Sequence, residues 1–83
     1  MTRDEIKATV LEALAKVAPE VDPATLDMRA NLRDQVDLDS MDYLSLLIAL
    51  GQRFNLEIPE SDYPGLASLD GCIDYLAQRS GGN

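Results

Sequence analysis

The sequence contains no histidine, no tryptophan and a single cysteine, and only 5% of its residues are aromatic. The missing histidine excludes a Ser-His-Asp triad and most zinc sites, so no metal site is expected. A lone cysteine forms no internal disulfide, and Cys72, on the apolar side of a helix, is interpreted as a small buried hydrophobe. No apolar run is long enough to span a membrane, so membrane insertion is not expected. The polar, charged segment 1–7 lacks the pattern of a signal peptide, which favours a cytoplasmic chain.

Basic residues are also scarce, with 7 lysines and arginines against 15 aspartates and glutamates, so the net charge is −8. This charge repels phosphate backbones, which excludes nucleic acid as an expected partner, and it favours proteins with basic surfaces. The 83-residue length and the 46% apolar content indicate one folded domain. We place that domain at residues 1–79 and a flexible tail at residues 80–83.

Three segments have apolar residues at helical spacing. The first covers about residues 3–18 and begins at Thr2 and Glu5, which have the spacing of a capping box. The second begins near Asp39, a good N-cap residue, and the last follows Ser68. These three segments are the expected main helices.

A long connection and one short helix lie between these segments. Residues 19–39 are predicted to form a long loop, in which Leu32 is a candidate apolar contact with the core. Residues 60–65 have room for one or two helical turns, and Pro64-Gly65 is expected to break the helix there. No segment alternates as a strand does. The fold class is therefore predicted to be all-α, a small antiparallel-type helix bundle with three main helices, one short helix and a long loop between the first and second helices.

Residues 33–42 form the most acidic stretch, with four aspartates around one serine. A calcium loop of the EF-hand type beginning at Asp37 would require glycine at position 42 and glutamate at position 48, where the chain has Asp42 and Ile48. Catalysis by paired carboxylates requires a pocket and a raised pKa, which a helix start in a small bundle does not provide. We therefore interpret these charges as solvated, helix-capping groups, and we expect that the chain is not an enzyme.

Ser40 stands at a helix start with no histidine to activate it, so it is not a nucleophile of its own active site. It is a candidate substrate of another enzyme, because a phosphate ester there would meet free backbone N–H groups and the positive end of the helix dipole. The alternative is that Ser40 only caps or begins the helix.

Residues 38–42, Leu-Asp-Ser-Met-Asp, resemble the Asp-Ser-Leu motif of acyl carrier proteins. The resemblance continues in register through Phe54, Ile58 and Pro59 and through Ile-Asp-Tyr-Leu at 73–76, and it covers about residues 3–78. It implies that Ser40 carries 4′-phosphopantetheine and that the chain holds acyl or related groups as thioesters on that arm. It further implies a phosphopantetheinyl transferase that uses coenzyme A, and acyl-loading and acyl-processing enzymes with basic docking surfaces as partners of a monomeric carrier.

The resemblance also implies two groups of site residues. Partner docking is expected at acidic and apolar residues next to the attachment serine, namely Asp37, Asp39, Met41 and Asp42. An acyl pocket is expected between the second helix and the short third one, lined by Leu44, Leu47, Leu50, Ile58 and Leu66.

The second helix is less acidic than this resemblance would imply. Ser45, Gly51, Gln52 and Arg53 stand where carriers of fatty-acid synthesis typically have glutamate or aspartate. We therefore expect a specialised, free-standing carrier with dedicated partners, in a secondary-metabolite, lipid-modification or aminoacyl pathway. Two alternatives stay open: a peptidyl or aminoacyl carrier, and an unmodified helical adaptor that binds partner proteins.

Overall fold

The computed structural model describes residues 2–80, with Ser80 described by its backbone only. Four α-helices follow one another, α1 (Arg3–Val17), α2 (Leu32–Gln35), α3 (Ser40–Arg53) and α4 (Leu69–Ser80). Two 3₁₀ helices, at Pro23–Thr25 and Glu60–Leu66, lie between them. Helix α1 packs against both α3 and α4, and the 3₁₀ helix Glu60–Leu66 packs against α4. The predicted all-α bundle with three main helices and one short helix is confirmed.

Helix α1 begins with the capping box that its sequence predicts. The Thr2 hydroxyl oxygen accepts a hydrogen bond from the Glu5 backbone N–H at 3.2 Å, and the Thr2 backbone N–H donates to the Glu5 carboxylate at 2.7 Å. Ile6, Val10 and Leu14 are buried on one face of this helix. This face gives α3 and α4 a common surface to pack against, and the free energy of burying it stabilises the bundle.

The connection between α1 and α3 is more ordered than a long loop. Asp22 caps a 3₁₀ turn at Pro23–Thr25, and Asn31 caps α2. Leu32 is fully buried, as its apolar character predicts, and its backbone N–H donates to the Ala67 carbonyl at 2.7 Å. The buried side chain packs the middle of the connection into the core, and the hydrogen bond attaches it to the residues just before α4.

Pro64 does not break the short helix, so this part of the prediction was wrong. The helix continues as a 3₁₀ helix from Glu60 to Leu66, with Pro64 inside it. Proline has a φ compatible with this winding and removes only one N–H donor, while fully buried Leu66 holds the end of the segment in the core. The Asp62 carboxylate accepts hydrogen bonds from Tyr75 at 2.7 Å and Arg79 at 3.3 Å, which attaches the segment to α4.

The end of α3 explains the glycine at position 51. Asn55 has φ 54°, the left-handed conformation that ends a helix, and the Leu56 backbone N–H then donates to the Gly51 carbonyl at 2.7 Å. A Cβ on residue 51 would lie 2.8 Å from the Leu56 carbonyl oxygen. Gly51 therefore permits the chain to turn back closely across α3.

The last helix extends one residue into the segment that was assigned to the tail. Helix α4 includes Ser80, which was assigned to the tail, and the remaining tail residues 81–83 lie outside the described residues.

Candidate functional site

Ser40 is the first residue of α3, and it is exposed. The two residues that precede it by two and four positions, Leu38 and Val36, are buried at 6% and 3% exposure. The Leu38 backbone N–H donates to the Val36 carbonyl at 2.8 Å, which makes a tight turn directly before the helix. The side chains of Val36 and Leu38 attach this turn to the core, and the Ser40 hydroxyl that follows them is exposed to solvent.

Asp39 is the N-cap of α3, as predicted. Its carboxylate accepts a hydrogen bond from the Asp42 backbone N–H at 2.8 Å and satisfies one of the free donors of the first turn. Asp42 lies in that turn, where its negative charge suits the helix dipole. Asp37 and Asp39 are exposed and Asp42 is half-buried, so carboxylates flank the serine on both sides in sequence.

Arg33 contacts Ser40, a contact that the sequence did not reveal. Its guanidinium donates to the Ser40 hydroxyl oxygen and to the Leu38 carbonyl, both at 3.4 Å. The same group lies 5.7 Å from the centre of the Tyr43 ring, within the range of cation–π contacts. The available sequence signal was that Arg33 is the only cation among residues 33–42.

Tyr43 connects α3 to the 3₁₀ helix Glu60–Leu66. Its hydroxyl donates to the Leu66 carbonyl at 3.0 Å, with the Tyr63 carbonyl at 3.4 Å as a second acceptor. Burial raises the pKa of the Tyr43 phenol, so the hydroxyl keeps the proton that it donates. This contact holds the Tyr43 ring in place near Ser40.

An open cavity of about 380 Å³ adjoins Ser40. Its walls combine a cation, an acid and three apolar or aromatic side chains in addition to the serine: Arg33, Ser40, Tyr43, Leu44, Glu60 and Tyr63. Leu44 was predicted as a pocket residue, and the structure places it here, next to the serine, with 42% of its surface exposed.

A larger open groove of about 540 Å³ lies further along α3, and Leu47 and Ile58 are the two predicted pocket residues that line it. Leu50 and Leu66 are fully buried and line neither this groove nor the cavity at Ser40. Tyr63 lines both spaces. Sequence reasoning missed several groove residues, including Ile48, Leu56 and Tyr63.

Three large apolar side chains of α3 are exposed on one face, Met41 at 77%, Leu44 at 42% and Ile48 at 51%. They are three and four positions apart, so they form a stripe that begins beside Ser40. We call Met41, Leu44 and Ile48 the apolar stripe. Helix α3 carries only two charged residues, Asp42 near its start and Arg53 at its end, and Arg53 forms an ion pair with Glu12 at 3.1 Å.

Cys72 is fully buried in α4, as predicted, and its thiol lies 3.3 Å from the Leu66 carbonyl. Burial raises the pKa of this thiol to about 12. The one cysteine of the chain is therefore a packing residue and is withheld from thiol chemistry at the surface.

Within residues 2–80, the acidic and cysteine side chains do not gather in any group of three that could hold a metal ion. In the same range, none of the helices is long and apolar enough to cross a bilayer.

The residues around Ser40 fit a phosphopantetheine group. The serine oxygen is exposed for esterification, a guanidinium lies beside it to meet a phosphate, and the adjoining cavity has aromatic and apolar walls. Arginine is suited to phosphate because its planar fork offers several N–H donors together with a permanent charge.

The chain matches known proteins along most of its length. The family model described as the phosphopantetheine attachment site matches residues 8–76. An acyl carrier protein of Campylobacter jejuni strain RM1221 is 31% identical over 75 residues, which cover 90% of this chain and 91% of the relative. Acyl carrier protein 2 of Arabidopsis thaliana, described as mitochondrial, is 30% identical over 79 residues, or 95% of this chain and 62% of the relative.

A solved structure has the same fold. The solution structure of a candidate acyl carrier protein from Anaplasma phagocytophilum superposes with a TM-score of 0.83 and 32% identity, and the match covers 96% of this chain and 93% of that one. A match over nearly all of both chains shows that the two proteins share this helical fold. By sequence and by structure the chain belongs to the acyl carrier protein family, the non-catalytic carriers whose prosthetic group is 4′-phosphopantetheine.

Proposed function

We propose that Ser40 is the attachment residue, and that the chain carries acyl groups as thioesters on the arm attached there. The single observation that carries this proposal is the placement of the Ser40 hydroxyl, exposed at the first residue of α3 with Arg33 beside it and an open cavity adjoining it. In the attachment step, the serine oxygen forms a new bond to the phosphorus atom of coenzyme A that bears the pantetheine. The phosphoanhydride bond breaks, adenosine 3′,5′-bisphosphate leaves, and the serine proton passes to the transferase.

The attachment residue is tested by intact mass. After exposure to a promiscuous phosphopantetheinyl transferase and coenzyme A, the wild-type chain is expected to gain one phosphopantetheinyl group, and Ser40→Ala none. Ser45→Ala is the matched control, because Ser45 is an exposed serine of the same helix, and it is expected to gain one group. Modification of Ser40→Ala would move the site elsewhere, and no modification of any form would favour the unmodified adaptor.

The acyl group is proposed to lie in the groove that Leu47, Ile58 and Tyr63 line. Tyr63 borders both this groove and the cavity at Ser40, so the two spaces offer a path from the attachment point along α3. Fully buried Leu50 and Leu66 support this region from within the core. Burying a cargo chain removes apolar surface from water, and each methylene group contributes about 0.8 kcal/mol.

Acyl carrier proteins work with a phosphopantetheinyl transferase and with acyl-handling enzymes. We propose that those of this chain have basic groups that meet Asp37, Asp39 and Asp42, and an apolar surface that meets the apolar stripe. The support is the charge of −8 and the exposure of Met41 beside the serine. A monomer is proposed, because docking uses this exposed face of α3.

We propose a cytoplasmic location. A single buried cysteine suits a reducing compartment, in which disulfides are rare. The mitochondrial relatives make the mitochondrial matrix the alternative.

We also propose a specialised pathway with dedicated partners. Beyond its first turn, α3 presents neutral Ser45 and Gln52 and the ion-paired Arg53, so long-range attraction to a basic enzyme is concentrated at the Ser40 end. Electrostatic complementarity mainly sets association rates and partner choice.

A housekeeping malonyl transferase tests this specialisation. Holo wild type is expected to be malonylated at least roughly tenfold more slowly than a carrier of fatty-acid synthesis, because its α3 steers a basic enzyme weakly. The double variant Ser45→Glu and Gln52→Glu, at two exposed positions, is expected to recover part of the rate, and the recovery should decrease with added salt. Equal rates for the wild type and the housekeeping carrier would contradict the specialised assignment.

A further inference from the structure

Among residues 2–80, Arg33 has no carboxylate partner, although its sequence neighbourhood is acidic. Within residues 2–80, Arg3, Arg53 and Arg79 each form an ion pair with a carboxylate, whereas no carboxylate oxygen lies within 4.0 Å of the Arg33 guanidinium. Yet four aspartates follow it within nine positions of the chain, at 34, 37, 39 and 42. The charge of Arg33 is thus available to an anion that is not part of the protein chain.

The contacts that Arg33 does make are long and aim it at the attachment serine. Both hydrogen bonds are 3.4 Å, beyond the usual range for N–H···O bonds, and their acceptors are the neutral Leu38 carbonyl and Ser40 hydroxyl. A guanidinium has five N–H donors and forms its strongest bonds with carboxylate and phosphate oxygens. These weak contacts hold the side chain in place and are readily exchanged for stronger ones.

The backbone of Arg33 and the Tyr43 ring beside its guanidinium are both held by contacts with the rest of the fold. Fully buried Leu32 precedes it on α2, whose N-cap is Asn31, so the backbone of Arg33 is fixed to the core. On the other side lies the ring of Tyr43, which is itself held by its hydrogen bond to the Leu66 carbonyl. Arg33 also lines the cavity at Ser40.

We propose that Arg33 binds the phosphodiester of the arm attached to Ser40 and so directs the start of the arm toward the cavity between α3 and the 3₁₀ helix Glu60–Leu66. The proposal rests on the attachment at Ser40 proposed above. An ester on the Ser40 oxygen carries a negative charge, and the guanidinium already lies 3.4 Å from that oxygen. Arg33 offsets this new charge at a point where Asp39 and Asp42 would otherwise repel it. Arg33 is therefore a positioning residue for the arm.

The test uses phosphorus and arginine resonances of the holo protein. Wild type, Arg33→Gln, Arg33→Lys and Arg29→Gln are first confirmed by intact mass to carry one phosphopantetheinyl group. Arg29 is the matched control, because it is an exposed arginine of the same connection, and within residues 2–80 it likewise has no carboxylate within ion-pair distance. The readouts are the ³¹P chemical shift of the phosphodiester and the Nε–H cross-peaks of the arginines in apo and holo protein.

In the wild type, the chemical shift of the Arg33 Nε–H cross-peak is expected to change between the apo and holo forms, while the Arg29 cross-peak keeps its apo position. The ³¹P resonance is expected to shift in Arg33→Gln and to remain at the wild-type position in Arg29→Gln. Arg33→Lys should lie between wild type and Arg33→Gln, since lysine retains the charge but loses the fork. Identical ³¹P spectra for all four holo proteins would overturn the role of Arg33 and leave Ser40 as the attachment site. Absence of the mass gain in the wild type would overturn both proposals.

Discussion

Leu32→Ala is expected to lower the free energy of unfolding by about 3 kcal/mol, because truncating a fully buried leucine removes its transfer free energy and leaves a cavity. For a domain of this size, such a loss corresponds to a fall of roughly 15 °C in Tm. The effect is large for a residue of a connecting segment, since the fully buried Leu32 side chain packs this segment into the core. The measurement is urea unfolding followed by circular dichroism.

Leu26→Ala is the matched control for this experiment. Leu26 is a leucine of the same connection but is only partly buried, so its truncation is expected to cost about 1 kcal/mol or less. Equal losses at the two positions would show that the connection is not held chiefly by Leu32. Arg33 follows Leu32 directly in α2, so Leu32→Ala should also disturb the contact between Arg33 and Ser40.

Gly71→Ala is expected to destabilise the protein by about 2 kcal/mol, against the helix propensity of alanine, which alone would stabilise a helix by about 1 kcal/mol. Gly71 lies in the first turn of α4, and a Cβ on it would collide with the Gly65 carbonyl oxygen and approach the Ser68 hydroxyl oxygen to 3.1 Å. The backbone of the 3₁₀ helix Glu60–Leu66 would have to move away from α4. Urea unfolding measures this loss.

Gly65→Ala provides the comparison, because a Cβ on Gly65 meets no atom within 4 Å. Its expected effect is within about 0.5 kcal/mol of zero, as for most exposed positions. If Gly71→Ala were as stable as the wild type, or more stable, the close approach of the two backbones would not limit the packing of the 3₁₀ helix on α4.

The starts of α1, α3 and α4 were predictable because their signals are local. The Thr2–Glu5 capping box, the Asp39 cap and the Ser68 hydroxyl that accepts from the Gly71 N–H each join residues three positions apart. Such contacts depend on a few neighbouring residues of the chain and hardly on the rest of the fold. The position of Ser40 at a helix start follows from the same kind of signal.

The features that were missed depend on distant contacts. Helix α2 is four residues long and forms around buried Leu32, and no periodicity can reveal so short a helix. The contact of Arg33 with Ser40 spans seven positions and requires both that helix and the turn before α3. The resemblance implied pocket positions on α3 without showing which of them a neighbour covers, so it included Leu50, which is fully buried, and omitted Ile48, which lines the groove.

The burial of Cys72 affects whether a thioester-bound acyl group can move to another sulfur of the same chain. Thioesters pass from one sulfur to another when a thiolate attacks, and burial raises the pKa of the Cys72 thiol to about 12, so this group stays protonated at neutral pH. The same thiol is fully enclosed in the core, so it has no access to the surface. Cys72 is therefore withheld as an internal acceptor of a thioester, and transfer of the acyl group to another protein thiol requires a thiol from a second protein.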